Sequence, residues 1–160
     1  MRNAADASHV TWLSRNASPI EAIAACITAV VAVGALIGVT IQLDEADRLQ
    51  REQSAREAYR GHLVLAVASP QFSRPMDGCQ LIASNQGGAY AAFVDHLLYS
   101  AEQMLAVSDG WDETFLIQLE SHKGYLCSEN APLGATDETA RLLLQFRATT
   151  CDGVASCLSQ

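Results

Sequence analysis

The sequence predicts an all-α protein: one N-terminal transmembrane helix that continues into a charged stalk, then a small helical bundle of about three to four helices. Three observations predict it. Residues 22–41, AIAACITAVVAVGALIGVTI, run for twenty residues without a charge. Acid–base pairs at helical spacing follow directly. Beyond Pro70 the apolar residues recur at three- and four-residue steps, and no stretch alternates with period two for long enough to make a strand.

The apolar segment comes first after a short flank, residues 1–19. Taken from Ile20 to Leu43 it has 24 residues, roughly 36 Å of helix at 1.5 Å per residue. That exceeds the ~30 Å hydrocarbon core of a bilayer, so the segment can span with some tilt. Glu21 and Gln42, near its two ends, can reach the headgroups. A secretory signal peptide would have a shorter apolar region with a small-residue cleavage site. A buried core helix of this length would be unusual in a chain of 160 residues.

Residues 44–68 read as a stalk helix. Asp44–Arg48, Asp47–Arg51 and Glu52–Arg56 place an acid four residues before a base, a spacing worth a few tenths of a kcal/mol each. The heptad positions after Leu49 are too polar for a coiled coil. Tyr59, Leu63 and Ala66 are expected to be the first residues to join a distal core, and Pro70 disfavours helix at Ser69. Residues 69–88 are loop-like, with a short apolar turn around Leu81 and Ile82.

The clearest amphipathic helix follows, carried by Tyr90, Phe93, Val94, Leu97, Leu98, Ala101, Met104 and Leu105. Ser108-Asp109-Gly110 is a turn in which Asp109 is a candidate N-cap. A further helix is expected to carry Trp111, Phe115, Leu119, His122 and Leu126 on one stripe. Thr136 is expected to cap a last helix over 137–148, with Leu143 and Leu144 inward. The helical domain covers residues 69–150, and the tail from 151 to 160 is expected to fray.

Charge and cysteine content bound the setting. Residues 44–60 hold four arginines against five acids, and residues 61–160 hold four basic residues against eleven acids. So acidic a distal domain repels phosphate backbones and anionic headgroups alike, so neither nucleic acid nor an anionic membrane surface is expected as a partner of it. Four cysteines, Cys79, Cys127, Cys151 and Cys157, lie beyond the apolar segment. Their even number permits two disulfides, but a chain of this size does not require them, and they are expected to be reduced and buried. Lys and Arg near the membrane favour the cytoplasmic side. Arg48, Arg51, Arg56 and Arg60 after the segment against Arg2 and Arg15 before it predict a cytoplasmic C-terminal domain. Asn16-Ala17-Ser18 has the form of a glycosylation sequon but stands beside Pro19 and the membrane, so it is expected to be unused.

The run from Arg51 to Tyr59, then Leu63 through Pro70 and Phe72, Tyr90, Phe93 to Leu98, Trp111, and His122 through Leu126 resembles a group of small bacterial single-pass membrane proteins of unknown function. The resemblance covers roughly residues 20–130. It implies a membrane helix with a helical cytoplasmic domain at a bacterial inner membrane, and no activity.

The chain carries no nucleophile elbow, P-loop, dinucleotide fingerprint or zinc-protease motif. His62, His96 and His122 stand apart in sequence, and no paired ligands announce a metal, so neither metal nor cofactor is expected. Gly34 and Gly38 form a small-residue pair that lets two membrane helices approach, the expected packing face of a homodimer. The exposed ends of Tyr59, His96, Trp111 and His122 are the expected interaction surface. The function these features favour is a membrane-tethered, non-enzymatic helical module that meets the lipid bilayer and an unknown protein partner. The alternatives are a small-ligand sensor or enzyme with a pocket between the distal helices, and an accessory subunit of a membrane complex.

Overall fold

The computed structural model describes residues 4–154 and 157, with side chains from Glu21 onward and Pro19. The expectations for the glycosylation sequon and for the last residues of the tail lie outside what is described. Every regular element among the described residues is a helix, seven in all: α1 (Ala4–Ala68), α2 (Pro70–Ser73), α3 (Gly78–Ile82), α4 (Gly87–Leu105), α5 (Asp112–Glu120), α6 (Lys123–Leu126) and α7 (Asp137–Thr150). The chain divides into two compact units, residues 1–48 and 49–160.

The first unit has no core among its described side chains. Its large apolar side chains from Ile23 to Leu43 are 51–72% exposed. Two of its few polar groups are satisfied within the helix: the Thr28 hydroxyl donates to the Ala24 carbonyl at 2.9 Å and that of Thr40 to the Ile37 carbonyl at 2.8 Å. By length and composition this is a helix able to cross a membrane.

The second unit has a closed core. Tyr90, Phe93, Val94 and Leu97 of α4 pack with Phe115 and Leu119 of α5, Leu126 of α6, and Leu142, Leu143 and Phe146 of α7, and all are nearly inaccessible. The last turns of α1 contribute Ala55 and His62, fully buried, with Tyr59, Leu65 and Ala66 packed against them. Leu63, expected inward, is 45% exposed. The inward stripe at steps of four and three is Ala55, Tyr59 and His62, which leaves Leu63 on the flank.

Local chemistry sets the helix ends. Asp77 accepts from the backbone N–H of Cys79 and Gln80 at 2.9 and 3.0 Å and so starts α3. Thr136 caps α7 as expected, in a reciprocal box with Thr139. Asp109 caps nothing; α5 begins at Asp112 behind Trp111, which makes no side-chain cap. The single stripe from Trp111 to Leu126 is broken, since the chain turns at Ser121 and His122 and restarts as α6. In α7 it is Leu142, Leu143 and Phe146 that face inward, while Leu144 is 66% exposed. Gly87 is required where α4 starts, because a Cβ there would strike the Ile82 carbonyl.

The cysteine expectation is corrected. Cys79 is bonded to Cys157 and Cys127 to Cys151, and Cys26 alone is free. Seventy-eight and 24 residues separate the partners in sequence. Only the folding of α3 and α6 together, and the return of α7 past α6, brings them within reach. Arg147 holds that return by donating to the carbonyls of Leu126 at 3.2 Å and Pro132 at 3.0 Å.

Candidate functional site

The second unit has a cleft of about 630 Å³ between the end of α1, the α2 C-terminus, α4 and α5. Leu63, Val67, Leu97 and Ile117 supply apolar walls, and His62 and His122 border it. Each is placed by a local rule. His62 sits three residues after Tyr59 on the inward stripe of α1. His122 is the turn residue between α5 and α6, and its backbone N–H donates to the Leu119 carbonyl at 2.9 Å.

Three histidines distant in sequence lie close together here. The rings of His62 and His96 stack at 5.7 Å between centroids, inclined by 22°. Phe93 contacts His62 at 5.0 Å and His122 at 5.9 Å. The Nδ1 atoms of His62 and His96 are buried without a hydrogen-bond partner among the described residues. Removal from water, and then the neighbouring His96, lower the pKa of His62 to about 4. Burial likewise lowers that of His122 to about 4, with a contribution from His62. Both rings are therefore neutral over the physiological range. His122 Nδ1 and the Tyr90 hydroxyl share a hydrogen bond of 3.0 Å. Burial, and secondarily Tyr125, push the Tyr90 hydroxyl well above its ordinary value. A neutral imidazole and a neutral phenol are thus bonded inside the core, an arrangement that fixes ring positions more than it offers a reactive group.

The four residues expected to form an interaction surface separate into two places. Tyr59 and Trp111 meet edge to face at 5.2 Å, and the Tyr59 hydroxyl accepts from Gln118 Nε2 at 2.9 Å. Both are half-buried against the core. His96 is half-buried, and His122 is 1% exposed, so no ring end of His122 reaches the surface. Gly34 and Gly38, in the first unit, have nothing within 4 Å of where a Cβ would stand. That helix face is open.

The sequence pattern assigns neither His62 nor Arg74 to a site. Helical spacing from Ala55 and Tyr59 would have found His62. Nothing local marks Arg74, which matters through what lies across the cleft. Among the described residues no group of three or more His, Cys, Asp or Glu side chains is placed to hold a metal ion. The chain matches no family model, no curated protein and no solved structure.

Proposed function

We propose that the chain is a single-pass membrane protein whose distal helical domain is a non-enzymatic binding module, held by α1 and displayed on the oxidising side of the membrane. The observation that carries it is the contrast within one chain. Large apolar side chains from Ile23 to Leu43 are 51–72% exposed, while those of the distal core are almost wholly covered. An apolar helix that its own chain leaves uncovered has lipid as a natural solvent. Tethering then raises the module's effective concentration for partners at the same surface.

The sidedness proposed here reverses the one the arginines favour. Cytoplasmic thiols are kept reduced, and two disulfides staple the distal domain. A margin of two arginines is a weaker constraint than the persistence of both bonds. The resemblance to bacterial inner-membrane proteins is kept as part of the proposal, with the domain outside the cytoplasm.

Two measurements test it. Full-length protein is expected to stay in the membrane pellet after an alkaline carbonate wash; release into the supernatant overturns the anchor. Alkaline phosphatase fused after Gln160 is expected to be active; an inactive enzyme beside a fluorescent cytoplasmic reporter at the same site restores the cytoplasmic domain. For binding, a protein partner is the leading reading, tested by co-purification in mild detergent. The cleft beside His62 favours a second reading, a small-ligand sensor.

A further inference from the structure

Of the clefts and patches on the distal domain, the one between α1, α4 and α5 combines apolar walls with a single charge. In residues 61–160 acids outnumber bases eleven to four, yet no acid lines this cleft. Its one charged residue is Arg74, just beyond α2. The other two arginines of residues 61–160 are engaged: Arg141 pairs with Glu138, and Arg147 donates to two carbonyls. Arg74 has no ion pair among the described residues. The walls are uncovered apolar surface, with Leu63 45%, Ile117 64% and Val67 82% exposed. His62, 3% exposed, stands at the inner wall with its Nδ1 unanswered. Apolar surface left open beside a lone cation is complementary to one kind of molecule, an apolar chain ending in an anion. At about 630 Å³ the cleft is within the range that small-molecule sites occupy, about 300–1,000 Å³.

We propose that this cleft binds a single-chain anionic amphiphile of the fatty-acid class, its chain along Leu63, Val67, Leu97 and Ile117 and its carboxylate on Arg74. The inference rests on reading the distal domain as a binding module; it requires neither a protein partner nor the assigned sidedness. The carboxylate meets the Arg74 guanidinium, and the chain covers the exposed walls. No bond is made or broken.

The test uses full-length protein in lipid nanodiscs and a palmitic acid analogue carrying a terminal diazirine. On irradiation, label is expected on peptides of the α1 end or α5, and unlabelled palmitate is expected to compete. Arg74→Gln is expected to lower that labelling at least severalfold. Ile117→Trp, at an exposed wall position, is expected to abolish it by filling the cleft. Both variants should keep the oxidised gel mobility of the two disulfides, which shows that the domain has folded. Label confined to residues 20–43, equal competition by the neutral alcohol of the same chain, or labelling unchanged in Arg74→Gln each overturns the proposal. Flotation of the discs with the protein reports insertion separately, so a failure of the anchor is distinguishable from a failure of the cleft.

Discussion

Residues 22–41 and α4 are helical stretches of nearly equal length, both rich in apolar side chains, and they end in opposite environments. In the first, apolar residues cover the whole circumference, and the large ones are more than half exposed. In α4 they occupy one face, where Tyr90, Phe93, Val94 and Leu97 are 0–2% exposed, while Ala92, Asp95 and Tyr99 take the other. The difference teaches that the distribution of apolar residues, more than their amount, selects the partner. A helix with a polar face can bury its apolar stripe against other helices of its own chain. A helix without one gains little from burying a single side, and lipid on all sides, as proposed for this one, would cover it whole.

The largest effect that would break this comparison is a charge in the first stretch. Val31→Arg with Leu36→Arg should cost about 5–7 kcal/mol of insertion, since each arginine near the centre of a span costs about 2.5–3.5 kcal/mol. The protein should then leave the carbonate-washed pellet. The same pair should leave the thermal unfolding of the distal domain unchanged.

Next come the disulfides, which only the distal unit has. Replacing Cys79 and Cys157 by serine opens the longer loop and should cost about 4.5 kcal/mol. Replacing Cys127 and Cys151 should cost about 3.5 kcal/mol by the same loop-entropy argument. Urea unfolding of the two variants checks the order, and a reversed order would mean that loop length does not set the stabilisation here.

Phe93→Ala should destabilise the domain by about 3–5 kcal/mol, because the ring touches Phe72, His62 and His122 and is 2% exposed. Val31→Ala should not shift that transition measurably. Acid sharpens the contrast gradually. His62 and His122 bind a proton only near pH 4 in the fold, whereas in an unfolded chain they do so near 6.5. As pH falls through that window the unfolded state takes up protons that the folded state does not, so stability is full above about 6.5 and declines toward 4. Melting temperature measured across pH 4–7 should follow this slope, and His62→Gln should flatten it. The smallest effect is at a cap: Thr136→Ala should cost about 1 kcal/mol, read as a small shift in the same transition.

Much of this was legible one element at a time. The run without charges, the three- and four-step pattern of α4, the Thr136 cap and the stop at Ser69 are local signals, and each stands where the sequence places it. Misreadings occurred where the answer depended on another element. Leu63 and Leu144 are apolar and adjacent to inward positions, and a one-residue difference of about 100° around a helix decides which of two neighbours is covered. The stripe places His122 inward, but the expectation that its ring end reaches the surface fails because nothing local shows that Tyr90, 32 residues earlier, bonds it.

Hydropathy and helical periodicity along the chain therefore determined the helical class, the spanning-length segment and most of the core, since both act over a few residues. Tertiary structure alone decided the disulfide pairing, the gathering of His62, His96 and His122, and the placement of Arg74 at the edge of an apolar cleft. Those depend on which distant segments meet, and that is set by the packing of whole helix faces, a quantity no short window of sequence contains.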